Sequence, residues 1–514
     1  MNITKKCEKF IRENKIFSLF FIGMAVYYAY NMFAIKPWYD ELYTYYSFIS
    51  RGPVYSAIHW PVPNNHVFYS VLSAFLDYFG NPYIGLRGVS FLAACANLIL
   101  LYKFAGKFVN SYLAAGSTFL YAAVWQVNNL SVQGRGYTIS ITFYLIVLLC
   151  LEKICREQAS KWDYVIYACC LTGGLYALIS STFWVIPACF TGGIVLLFTK
   201  KYKTMWKLIA ASLVAAGMTL FLYMLIWLAI GSNLMSKDPS NMYYGVYQVN
   251  IILKTPLEAM KTGIDYMLAT PYIQGDERSY IIAELFNYLS GVFNLFYAGM
   301  GSVLTVGGGV LGVAAVVSAV RNRNNDYKKW FFSVYLATAV VMAPVMLIIQ
   351  SVQPYYRVFT FLAVPVSLLI VWLFSELTAL TTEKSKLLIN RCCCAVFAII
   401  AVLLLSGSSY NEQYAQRETE IAQILEEEAS NIDTMFFVDD YQKYVLKFYY
   451  DKLPAEVSME EAEYVLLPKE LYDESYEIPV WPTMYSHEAF NFDYLKECFV
   501  LINESDSYEL YRRK

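Results

Sequence analysis

Long apolar runs decide what this chain can fold into. A helix needs about 20 apolar residues to cross the hydrocarbon core of a bilayer. Eleven stretches meet or approach that length: 16–35, 83–102, 111–130, 137–152, 163–181, 182–199, 207–230, 300–320, 330–350, 358–378 and 388–407. Backbone polar groups in lipid must be paired within the spanning segment, so the pattern predicts an all-α polytopic membrane protein with about 11 transmembrane helices. Of the 514 residues only 16% are charged, against about 25% in soluble domains. That excludes a large soluble enzyme, a disordered scaffold and a nucleic-acid binder.

The net charge of −2 conceals two regions. Residues 408–514 carry 24 Asp and Glu against 9 Lys and Arg, whereas residues 1–407 carry 17 against 30. The predicted division is therefore a basic transmembrane body, 1–407, and an acidic α/β domain, 408–514. The body has two long external loops, 36–82 and 231–299, both rich in Tyr, Trp, Pro and Asn. In the tail, Asp433 to Asp439 reads as a strand, Tyr441 to Tyr450 as a helix and Ala462 to Leu467 as a strand. Phe499 to Tyr511 reads as two strands around a polar turn.

Basic residues set the orientation, because cytoplasmic loops are enriched in Lys and Arg. With the N-terminus inside, 21 of the body's basic residues fall on the cytoplasmic side, among them Lys107, Lys153, Lys201 and Lys329. This predicts a multi-pass protein of the cell membrane whose tail is extracytoplasmic. The first span follows Lys5, Lys6, Lys9, Arg12 and Lys15 without a small-residue cleavage site, so it reads as a retained anchor. Residues 66–79 are too short to span comfortably and read as a re-entrant or surface helix. Eleven cysteines, lying mostly in apolar runs and without a CxxC pair, suit buried apolar side chains better than a disulfide or zinc framework.

Polar residues capable of chemistry gather on the predicted outer face. Asp40 and Glu41 follow the first span, and Asp40 reads as a helix N-cap or a base. Trp60-Pro61-Val62-Pro63-Asn64-Asn65-His66 is either a capped Pro-rich turn or a set of hydrogen-bonding groups for sugar hydroxyls, water or a metal. Arg87 lies a few residues inside the second span, where it is either functional or snorkelling outward. Ser131-Val132-Gln133-Gly134-Arg135-Gly136-Tyr137 and Pro354-Tyr355-Tyr356-Arg357 each place one arginine in a short external turn. Each is an interface anchor or a bidentate phosphate ligand beside stacking tyrosines.

In order, these motifs resemble the bacterial C-type (GT-C) glycosyltransferases related to protein O-mannosyltransferases and aminoarabinose transferase. The family's acidic pair corresponds to Asp40-Glu41, and its "(N/E)-x-H/P-P-L" segment to Asn64-Asn65-His66-Val67-Phe68-Tyr69. Gly80 precedes Arg87-Gly88-Val89-Ser90, which matches "R-x-x-S", and Ser131 to Tyr137 matches "S-x-x-(A)R-x-Y". Tyr356-Arg357 with Pro365 resembles the late "R-Y…P" segment. The chain departs from the pattern at Val67-Phe68-Tyr69 and at Gly136, where many members carry Pro.

The resemblance implies a hexosyl or pentosyl transferase that takes a sugar from a polyprenyl-phosphate-linked donor to a glycan, lipid or protein acceptor of the cell envelope. It implies catalysis by Asp40 and Glu41, with Asp40 as general base and inversion at the anomeric carbon. Substrate contacts would come from Asn64, Asn65, His66, Arg87, Arg135, Tyr137, Tyr356 and Arg357. The family varies in metal use, which leaves a divalent metal open and fixes no cofactor. A transporter or flippase of lipid-linked glycans, or a polysaccharide polymerase or ligase of another fold, remain the alternatives.

Overall fold

The computed structural model describes residues 9–59, 65–269, 278–406, 415–475 and 485–514. It divides into two compact units. The first comprises residues 1–32 and 51–408; the second comprises 33–50 together with 409–514.

The first unit is a helical membrane body. Among the described residues, nine helices are long and apolar enough to cross a membrane, beginning with Lys15–Ala34, Pro82–Ala105 and Tyr137–Cys155. Two predicted stretches take other forms. Residues 111–130 fall in two helices, Ser111–Ala123 and Trp125–Val132, and residues 163–181 overlap the 17-residue helix Lys161–Ala177. Residues 66–79 hold the 11-residue helix Val67–Asp77, whose length of roughly 16 Å falls well short of a bilayer core.

In lipid, close helix packing must replace the hydrophobic drive that water supplies elsewhere. Glycines provide that approach here. A Cβ on Gly231 would lie 1.7 Å from the Ala259 carbonyl, and one on Gly263 would lie 2.1 Å from that of Trp227. Helices Tyr202–Lys237 and Pro256–Ala269 therefore touch through bare backbone. At the predicted cytoplasmic ends, basic side chains find acids. The buried Glu152 pairs with Lys107 at 2.8 Å and with Arg156, and Lys153 pairs with Asp163 at 2.7 Å.

The second unit is built on a five-stranded sheet ordered β2-β1-β3-β5-β4. Its strands are β1 Thr434–Phe436, β2 Ala455–Glu456, β3 Tyr464–Pro468, β4 Phe499–Glu504 and β5 Tyr508–Arg513. β1 runs parallel to β2 and β3, while β5 is antiparallel to both β3 and β4. Helices Gln416–Ile424 and Asp440–Tyr450 add Ile421, Val445 and Leu446 to its core. The sequence places residues 36–50 with the membrane body, but helix Tyr39–Ser47 packs in this unit instead. Its Leu42 is fully buried in the same core as Ile421 and Leu446. Apolar burial of this kind favours the long-range partner over a solvated loop.

Candidate active site

In the first unit, the turn at residues 133–136 depends on its glycines. A Cβ on Gly134 would stand 2.4 Å from the Leu86 side chain and 3.1 Å from its carbonyl, so only glycine lets the turn rest on helix Pro82–Ala105. Ser90 Oγ, from the next turn of that helix, donates to the Gln133 carbonyl at 2.6 Å. The Arg135 N–H closes the turn on the same carbonyl at 2.8 Å. Gly136 then caps helix Tyr137–Cys155 and donates its N–H to His66 Nδ1 at 2.7 Å.

That last bond fixes the imidazole. A ring accepting at Nδ1 carries its neutral-state proton on Nε2. Burial first, then the charges of Arg135 and Arg357, hold His66 well below its ordinary pKa, so it is neutral at pH 7 and offers Nε2–H as a donor. Tyr137 meets the ring edge-on at 5.2 Å. Arg357, in the 3-10 segment Tyr356–Leu362, stacks its guanidinium over Tyr355 at 5.0 Å. The Tyr356 ring lies against Gly291 and packs edge-on at 5.2 Å with Tyr288, whose hydroxyl donates to the Pro354 carbonyl. Residues from three distant segments thus meet as a neutral donor with two permanent cations. A small cavity lined by Tyr137, Ser140, Ser181, Trp184, Val358 and Thr360 lies beside them.

Other expected ligands make hydrogen bonds within the protein. Arg87 is 0% exposed, which overturns the snorkelling alternative. Its Nη1 donates to the Met32 carbonyl at 3.0 Å, tying the end of the first span to the second. Asn65 donates from its amide to the Ser56 and His59 carbonyls at 2.9 and 3.2 Å, and accepts from Ser70 Oγ at 2.7 Å. Its amide nitrogen and oxygen thereby help shape the loop. Asn64, with residues 60–63, lies outside the described residues.

The carboxylate pair lies in the second unit. Trp38, extended at φ −91° and ψ 173°, is the N-cap of helix Tyr39–Ser47. Asp40 is therefore the second helical residue and not the cap itself. The two acids differ in setting. Glu41 is 0% exposed and accepts the Trp38 N–H at 3.3 Å, the return half of a capping box. Asp40 keeps partial exposure in the first turn of the helix. Among the described residues no group of three or more His, Cys, Asp or Glu is placed to hold a metal ion.

Some functional geometry escaped the motif reading. Ser90 belongs to a quoted motif, but only the fold shows it securing the Arg135 turn. Gly136, noted as a departure from Pro, supplies an N–H that proline lacks.

Comparison with solved structures shows the fold. ArnT from Cupriavidus metallidurans bound to undecaprenyl phosphate superposes with a TM-score of 0.56, covering 96% of this chain and 97% of that one at 11% identity. Its apo form gives 0.55 over the same shares at 10% identity. The chain has the ArnT-like fold of a multi-pass membrane protein. No family model matches it, and no curated protein matches its sequence.

Proposed function

We propose that the protein is a membrane glycosyltransferase that moves a sugar from a polyprenyl-phosphate-linked donor to an acceptor hydroxyl at the outer face of the cell membrane. The observation that carries this reading is the convergence of His66, Arg135 and Arg357 in a chain folded like a protein crystallised with undecaprenyl phosphate. Two arginines and an N–H donor complement the donor's phosphodiester, whose charge grows as the glycosidic bond breaks and polyprenyl phosphate leaves.

In this reading, Asp40 takes the proton from the acceptor hydroxyl. The acceptor oxygen bonds to the anomeric carbon as its bond to the phosphate oxygen breaks. The electron pair stays with the polyprenyl phosphate, which Arg135 and Arg357 stabilise as leaving group. One displacement through an oxocarbenium-like state inverts the configuration. Asp40 serves as base rather than Glu41, because Glu41 is enclosed and occupied with the Trp38 N–H.

The test uses membranes containing the full-length protein, supplied with radiolabelled undecaprenyl-phosphate-linked hexoses and pentoses. Label is expected to pass to endogenous acceptors with wild type. Asp40→Asn is expected to abolish transfer at normal protein levels, and full transfer in that variant removes the assigned role.

A further inference from the structure

The helix that carries Asp40 does not complete its own N-terminus. An α-helix leaves its first N–H groups without internal partners, and an N-cap side-chain oxygen ordinarily takes one of them. Trp38, the N-cap here, has no side-chain oxygen to offer. The Tyr39 N–H, the first of the helix, instead donates to Oε1 of Glu418 at 2.6 Å, across 379 positions of sequence.

Glu418 is itself 3% exposed, in the first turn of helix Gln416–Ile424. Beside it, Arg417 pairs with Glu470 at 2.7 Å and Asp439 accepts the Gln442 N–H at 3.2 Å. Further contacts hold the Asp40 helix along its length. The Tyr39 ring lies 4.5 Å from that of Tyr441, Tyr46 stacks on Tyr444 at 5.7 Å, and Lys447 sits 4.4 Å over Tyr46. Packing of this kind fixes where the helix lies. The Glu418 bond does something narrower, because it acts on the residue next to Asp40 and sets the orientation of the first turn.

We propose that Glu418 is a positioning residue for the base: its carboxyl oxygen caps the Asp40 helix from a distant segment and so aims Asp40 at the acceptor. The proposal rests on the reading of Asp40 as the base. A burial role alone requires only a side chain that fills the space; a positioning role requires an oxygen that accepts the Tyr39 N–H.

Glu418→Met keeps the volume and removes the acceptor, whereas Glu418→Gln keeps an oxygen in place. Two measurements on the full-length protein decide. The first is hydrogen exchange in detergent, comparing the amides of residues 39–42 with those of β3 and β5. The second is transfer from radiolabelled undecaprenyl-phosphate-linked sugars to endogenous membrane acceptors. In Glu418→Met, exchange at 39–42 is expected to rise about tenfold, the loss of one buried hydrogen bond, with β3 and β5 still protected. Transfer is expected to fall in kcat by a similar factor with donor KM unchanged, and Glu418→Gln is expected to restore most of both.

Unchanged exchange at 39–42, or equal loss in the Met and Gln variants, overturns the proposal. So does loss of protection throughout β3 and β5 in the Met variant, which makes Glu418 a residue of general stability. Asp40→Asn, measured alongside, separates the two readings. Full transfer in that variant removes the base assignment. Abolished transfer there, with undiminished transfer in Glu418→Met, removes the positioning role alone.

Discussion

The Gly136 N–H donates to His66 Nδ1 at 2.7 Å, so a backbone group in one turn selects the tautomer of a ring 70 residues earlier. Gly136 has φ −74°, an angle proline also accepts. Gly136→Pro therefore removes the donor without demanding a new φ, and its ring carbons crowd His66 where the N–H stood. Transfer is expected to fall about ten- to a hundredfold, the range for an orphaned buried partner. Gly136→Ala keeps the N–H but brings a Cβ to 3.0 Å from the Ala177 carbonyl and 3.2 Å from His66 Cβ; a smaller loss is expected. Equal activity in wild type and Gly136→Pro contradicts the role given to this bond.

The two adjacent acids are expected to separate by readout. Glu41→Ala leaves the Trp38 N–H without its 3.3 Å partner and a void at a 0% exposed site. It is expected to cost about 2 kcal/mol in thermal unfolding measured in detergent. Asp40→Asn is expected to leave unfolding within about 0.5 kcal/mol of wild type while transfer disappears.

Asn65 is expected to behave as a loop residue. Asn65→Ala removes bonds to Ser56, His59 and Ser70 and is expected to destabilise the body by about 2–3 kcal/mol. Once folded protein is compared at low temperature, its donor KM is expected to match wild type. A large rise in KM without loss of stability indicates direct contact with substrate instead.

The tail is expected to lose stability as pH rises through neutrality. Burial chiefly, with Asp439 adding, pushes the Glu418 carboxyl from about 4.5 up to about 7; the Glu418 and Tyr39 N–H groups and Arg417 pull the other way. Glu470, Tyr441 and Tyr508 complete the ionisable groups around Arg417. Between those two values the folded state holds its proton more tightly than the unfolded chain. The stabilisation is full below about 4.5 and is lost as pH climbs through about 7, a change of about 3 kcal/mol. Exchange protection of β3 and β5 against pH measures it, and Glu418→Gln is expected to flatten the slope.

Local pattern made much of the body legible, because a membrane span announces itself by length and apolarity. The break at Val124 did not, since neither Gly nor Pro marks it. There the Trp125 and Gln126 N–H groups bond to the carbonyls of Phe296 and Leu295, and Asn128 donates to those of Ala122 and Val124. Partners some 170 residues away relieve the broken helix, and no window of sequence contains them. At the site, Arg135 and Arg357 stand out as the one basic residue of a short external turn, and His66 and Tyr137 belong to the motifs on either side. Glu418 does not, being one acid among many in an acidic tail, and its contact with Tyr39 is set by tertiary packing.

The bond between Tyr39 and Glu418 also has a direction in time. At about 5–20 residues per second, a ribosome takes roughly 20–75 s to travel the 379 positions between them. The nine candidate spans among the described residues are synthesised before Glu418 emerges. For that interval the nascent protein carries Asp40 on a helix whose carboxyl cap and the partners of Leu42 have yet to be made. A chain that ends between Ser406 and Glu418 would carry the nine described candidate spans and the Tyr39–Ser47 helix without that cap.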